Sequence, residues 1–139
     1  MIRSCVLPRR NARWLLALVI LAGGLPSFAA ERGFPYDSEL MLDAKPMKGS
    51  KRVPVIGIGP RGEATIDMWC NSIQGQLVVA DNTITVLTGT KTERQCDAAR
   101  MQGDDELLAD LTQATTWSRN GDVITLQGGK PLRFRQLTN

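Results

Sequence analysis

Between residues 63 and 69 the chain alternates, with Ala64, Ile66 and Met68 on one side and Thr65, Asp67 and Trp69 on the other. A period of two with one apolar face is what a half-buried antiparallel strand requires, because successive side chains leave opposite faces of a sheet. This segment ends on Cys70-Asn71, and residues 72–79 and 83–87 repeat the strand pattern around a turn at Asp81-Asn82. Upstream, residues 39–42 read as a short first strand and residues 53–58 as a second. Gly59-Pro60-Arg61-Gly62 supplies the turn into 63–69. Pro54 argues for an edge position, since proline cannot donate to a ladder. Residues 89–94 read as an irregular final strand before Cys96.

The period then becomes helical. Leu107, Leu108, Leu111 and Ala114 share a face, and Asp104-Asp105-Glu106 put negative charge where a helix N-terminus is positive. A turn at 97–101 is expected to belong to the same helix across an interruption or kink at Gly103. Strands return at 115–119 and 122–127, around an Asn120-Gly121 pair suited to both positive-φ positions of a tight turn. In the last strand, 132–136, Leu132 and Phe134 face inward and Arg133 and Arg135 outward. The pattern shows no repeat and no inter-domain linker. It is that of one α+β domain with a curved, mainly antiparallel sheet and a single helix.

The first 29 residues stand outside this pattern. Arg3, Arg9, Arg10 and Arg13 precede an apolar run from Trp14 too short to span a bilayer, and Ser27-Phe28-Ala29 offers small residues for cleavage. A secretion signal cleaved after Ala29 is expected. Arg9-Arg10 invites a twin-arginine reading, but Asn11, Ala12 and Arg13 follow where apolar residues are preferred, so ordinary secretion is the default. Cys5 lies before the apolar run, the wrong place for lipid modification, and no stable membrane anchor is expected. Residues 30–52 then read as a loose arm, the first short strand and a Lys-rich connection.

Removing that signal changes the charge argument. It carries four of the 17 Lys and Arg and none of the 14 Asp and Glu, leaving 13 cations against 14 anions. Basicity of the whole chain therefore says nothing about nucleic acid, which is not an expected partner. About 110 residues can bury one core but leave much surface wet, so a covalent staple matters. Cys70 and Cys96 are the two cysteines left, and in an oxidising compartment they read as a disulfide. Two free thiols are the alternative; there is no Cys-x-x-Cys spacing and no histidine to activate one.

Cys70-Asn71 after a strand, Gly75, Thr92 with Cys96, the apolar helix face of Leu107, Leu108 and Leu111, and a terminal Leu132-x-Phe134 occur in an order that resembles the META domain family, also called HslJ-like, of bacterial envelope proteins. The resemblance runs from about Val53 onward, over 53–139. The family more often has Gly where Trp69 stands and aromatics at Ile73 and Leu77. What the resemblance implies is a sheet similar to an incomplete barrel with one helix over its opening, in an envelope or stress-associated protein with no agreed catalysis.

Absence of histidine removes the usual activating base and the commonest metal ligand. No metal, cofactor or catalytic residue is expected. Asp67 with Asp81 or Asp97 remains as an acid and base pair for glycan or peptide chemistry, against which stands their placement in strand, turn and cap positions. Asp104-Asp105-Glu106 lacks the twelve-residue calcium spacing. Trp69, Asn71, Trp117, Arg133 and Arg135 are the residues for a ligand or partner contact. Each has a structural reading beside it: burial for the tryptophans, backbone satisfaction for Asn71, edge protection for the arginines. The expected protein is a monomeric, soluble, periplasmic or secreted, non-catalytic binding or assembly module. Its partner is an envelope protein, meeting a sheet edge near Val55 or Thr85. Alternatively it is an apolar lipid held among Ile66, Met68, Val78, Leu107 and Leu111, with Trp117 at the rim.

Overall fold

The computed structural model describes residues 33–138, so the expected signal segment lies outside the described residues. Eight strands and one helix follow in chain order: β1 (Ser38–Leu42), β2 (Val55–Ile58), β3 (Glu63–Asp67), β4 (Ser72–Ala80), β5 (Thr83–Lys91), α1 (Ala98–Thr112), β6 (Thr116–Asn120), β7 (Val123–Gln127) and β8 (Leu132–Leu137). Every neighbouring pair is antiparallel, and β8 returns to pair with β1, where Glu39 opposes Leu137 and Leu42 opposes Phe134. The sheet is thus a closed barrel, and the expectation of an incomplete one is corrected. Closure also corrects two edge assignments. β2 pairs with β1 and β3, so neither Val55 nor the buried Pro54 before it lies at an edge.

One seam is thin. β5 and β6 share a single paired position, Thr83 opposite Thr116, with N–H groups of Ile84 and Trp117 donating to Thr115 O and Asn82 O beside it. Below that point β5 runs on without β6 and packs beside α1. The expected separate strand at 89–94 is the end of β5, which continues to Lys91 past a bulge opposite Ile73 and Gly75. A strand that departs from its neighbour leaves a gap in the wall, and the apolar face of α1, through Leu107 and Leu111, fills it.

Register decides which side chains fill the interior. Leu40, Ile56, Ile66 and Ile73 lie directly opposite one another across four strands, and Ile124 and Phe134 do the same on the far wall. With Leu107, Leu111 and the other inward residues they make one contiguous apolar cluster in which Phe134, Ile66, Leu111 and Ile124 are fully buried. Truncating such a residue, Phe134 for instance, costs about 3–5 kcal/mol. Val78, expected to line the interior, is instead 51% exposed, because it alternates with inward Leu77.

Three local readings change for reasons of geometry. The helix is continuous from Ala98, capped by Asp97, whose carboxylate accepts from the Arg100 N–H at 3.0 Å. Asp104 and Gly103 are therefore both interior to the helix. The β6–β7 turn consists of Gly121 and Asp122, with Asn120 paired to Val123 and only Gly121 at positive φ, 64°. This is the hairpin with glycine at its first central position. Finally, the arm is docked from Gly33: Phe34 packs edge-on to Trp117, with ring centroids 5.1 Å apart, and Gly33 O accepts from Arg119 Nη1 at 3.2 Å.

Candidate functional site

Asn71 occupies the turn between β3 and β4, and its side chain is consumed there. Its Oδ1 accepts from Thr92 Oγ1 at 2.9 Å and from the Arg94 N–H at 2.7 Å, which holds the segment leading to Cys96. Its Nδ2 donates to Asp104 Oδ2 at 3.2 Å, and its backbone N–H donates to the same oxygen at 2.8 Å. Asp104 Oδ1 takes the Cys70 N–H at 2.9 Å. Asp104 is wholly buried in the middle of α1, so its carboxylate satisfies two backbone donors that the loop would otherwise bury unpaired. The Cys70–Cys96 disulfide spans the same junction, with Cα atoms 6.0 Å apart. This cluster locks helix to sheet.

The tryptophans are similarly engaged. Trp69 is half-buried against α1 at Gly103, where a Cβ would stand 2.7 Å from Trp69 Cδ1 and 2.5 Å from Met47 Cε. A side chain at 103 would push the ring away. Trp117 lies under Phe34 and donates its indole N–H to Asp81 O at 2.8 Å. Arg133 and Arg135 do face outward as expected, but β8 is paired on both sides, so they protect no edge. They approach Asp43 at 4.0 Å and Asp122 at 3.5 Å. None of the five expected contact residues lines the concavity described next.

A concavity lies elsewhere, on the outer face of β1–β3. The outward row Glu39, Gly57, Thr65 and Gln74 crosses four strands, and Val55 and Asp67 stand opposite each other in the next outward row. Together with Asp37, Gly59, Pro60, Glu63 and the end of β8 they enclose about 860 Å3. Gly57 forms the floor: a Cβ there would meet only Thr65 O, at 3.9 Å, so glycine is not demanded by packing and leaves the floor low. The lining has four carboxylates, Asp37, Glu39, Glu63 and Asp67, and no Lys or Arg. Asp67 accepts from Ser72 Oγ at 2.7 Å. The backbone N–H of Glu63 and that of Arg61, reinforced by the Arg61 guanidinium, hold the Glu63 carboxyl below the usual range. Asp37 and Glu39 have no ion-pair partner among the described residues.

As for the carboxylates considered for catalysis, Asp97 caps α1, Asp81 takes φ 53° in the β4–β5 turn, and Asp67 lies on the outer face of β3. They do not converge. Among the described residues there is no cluster of three His, Cys, Asp or Glu able to hold a metal ion, and no helix is long and apolar enough to cross a membrane.

The profile of the META domain matches residues 36–139, beginning at the docked arm and so taking in β1, which the sequence motifs left out. No curated protein matches the chain. Among solved structures it is similar to an NMR structure of a protein from Burkholderia xenovorans, at 18% identity and TM-score 0.60, covering 75% of this chain and 84% of that one. A second NMR structure aligns at 18% identity and TM-score 0.57, over 71% of this chain and 88% of the other. At that identity the likeness is one of fold.

Proposed function

The chain belongs to the META domain family, and from that premise we propose that it is a non-catalytic binding or assembly module of the bacterial envelope, exported and soluble after loss of its signal. It engages its partner through the outer face of β1–β3. The observation that carries this reading is the contrast between the two sides of the sheet. Inward positions are filled by one contiguous apolar cluster, while the outward rows of β1–β3 frame a concavity with carboxylates at its rim. A filled interior favours a surface partner over an acyl chain inside the barrel, as small barrels are packed solid. A carboxylate-lined concavity without cations favours a protein segment bearing Lys or Arg, by charge complementarity. Engagement of Asp67, Asp81 and Asp97 in local structure supports the non-catalytic reading over carboxylate-based hydrolysis.

The test uses a photo-cross-linking residue at Thr65 in intact cells, with the same residue at outward Thr125 as control. A protein adduct from Thr65 alone is expected, and Gly57→Val, whose Cβ would stand 3.9 Å from Thr65 O, raises the floor and should remove it, with thermal unfolding checking that the fold is kept. Adducts that persist in both Gly57→Val and Glu39→Lys, or none from Thr65, would overturn the reading.

A further inference from the structure

The connection between β1 and β2, at the end of the barrel where Trp69 meets the helix, holds Lys45, Lys48, Lys51 and Arg52, all exposed. Its anchors set their direction. Met47, Ser50 and Val53 turn inward and are half-buried, with the Met47 methyl beside Gly103. The Ser50 N–H donates to Met47 O at 2.9 Å, and Ser50 Oγ accepts from the Arg52 N–H at 3.0 Å. Gly49, at φ 77°, makes the reversal that L side chains rarely adopt. With positions 47, 50 and 53 turned inward, Lys48, Lys51 and Arg52 between them and Lys45 before them are left to solvent.

Elsewhere among the described residues six of eight cations are engaged, and the two that are not, Arg94 and Lys130, stand singly on separate connections. Arg61, Lys91, Arg100, Arg133 and Arg135 are ion-paired, and Arg119 spends its guanidinium on Gly121 O, Gly33 O and Gln136 Oε1. None of the four loop cations has an ion pair or side-chain hydrogen bond among the described residues. We propose that this loop is a contact surface for an anionic bilayer, holding the domain against phosphate-bearing lipid headgroups by charge alone. Nucleic acid offers the same phosphate chemistry, and the choice of lipid rests on the proposed export, since an exported domain meets lipid headgroups rather than nucleic acid. Four cations spread along one exposed loop suit a plane of charge, where each contributes independently. The inference does not depend on what the β1–β3 face receives.

Cosedimentation of the protein with vesicles tests it. All variants share one N-terminus, so any affinity of residues 1–32 cancels in the comparison. Vesicles of equal parts phosphatidylglycerol and phosphatidylcholine should retain the protein at low salt and release it at roughly 0.5 M NaCl, where charge interactions are screened. Each neutralised loop cation should lower partitioning about fivefold, so Lys48→Gln with Lys51→Gln should lower it about 25-fold. Arg133→Gln with Arg135→Gln, which removes cations already paired, should change it by less than about twofold. Equal retention by pure phosphatidylcholine, an unchanged Lys48/Lys51 variant, or displacement by duplex DNA at an equivalent phosphate concentration would each overturn the proposal. The last outcome would identify a general polyanion surface instead.

Discussion

Asp104 and Asn71 are joined twice: one carboxylate oxygen of Asp104 accepts both the backbone N–H of Asn71, at 2.8 Å, and its side-chain Nδ2, at 3.2 Å. The other oxygen holds the Cys70 N–H. Asp104→Ala would leave these donors buried and unpaired, so a loss of about 3–5 kcal/mol in urea unfolding is expected. Neighbouring Asp105, exposed and paired only to Lys91 on the surface, should cost less than about 1 kcal/mol when changed to Ala. Equal losses at the two positions would show that the buried carboxylate does not join helix to sheet.

Gly103→Ala sets two effects against each other. Alanine improves helix propensity by about 1 kcal/mol. Its Cβ would also stand 2.5 Å from Met47 Cε and 2.7 Å from Trp69 Cδ1. Overpacking of this kind costs about 1–3 kcal/mol, and the rigid indole cannot yield as the methionine can. A lower Tm is expected.

Reduction of the Cys70–Cys96 bond, whose partners are separated by 26 residues, releases a loop closed across the same junction. Replacing both cysteines by alanine should cost about 2–5 kcal/mol, with the fold retained at low temperature. Non-reducing peptide mapping of the native protein should recover the cross-linked pair, and free alkylation of both thiols without reductant would contradict it.

Asp97 gives a pH dependence with a defined sign. The Arg100 side chain, and then its backbone N–H, hold the Asp97 carboxyl below its ordinary value. Its contribution is therefore complete above the ordinary carboxylate range, near about pH 4, and is lost as pH falls through the lowered folded-state value. Asp97→Asn keeps a capping side chain but no titration. The variant should be less stable than the parent at neutral pH and indistinguishable from it in strong acid, as followed by chemical denaturation across that range.

Strand positions, the cysteine pair and the family were legible in the sequence because each rests on local periodicity or on residue chemistry. Ile66 and Met68 announce an inward face, and Asn71 after Cys70 announces a turn. Asp104 was legible too, since it lies three and seven residues before Leu107 and Leu111 on the buried helix face, but an acidic triplet before a leucine run also suits a helix start. What separates the readings is Asp97, a better cap ten residues before Leu107. Barrel closure and the outer concavity were not legible. Both depend on which strands lie side by side: Gly57 becomes a floor only because Glu39 and Thr65 flank it, and no single strand records its neighbours. The occupation of Trp117 is hidden for the same reason, as Phe34 reaches it from the far end of the chain.

The thin seam between β5 and β6 has a consequence for how the molecule assembles. If the wall is unrolled at that seam, the spatial order is β6-β7-β8-β1-β2-β3-β4-β5, which places the first and last strands in the middle of the ribbon. The hairpins β2–β3, β3–β4, β4–β5 and β6–β7 close over short turns and form from local encounters. The pairing of Glu39 with Leu137, by contrast, must bring together residues from opposite ends of the folded chain, with the full loop-closure entropy opposing it until the core is in place. The meeting of the first and last strands is thus expected to be the slowest of these closures. A chain still lacking β8 during synthesis would hold two halves joined only through the thin β5–β6 seam and the helix, each with apolar surface open to water.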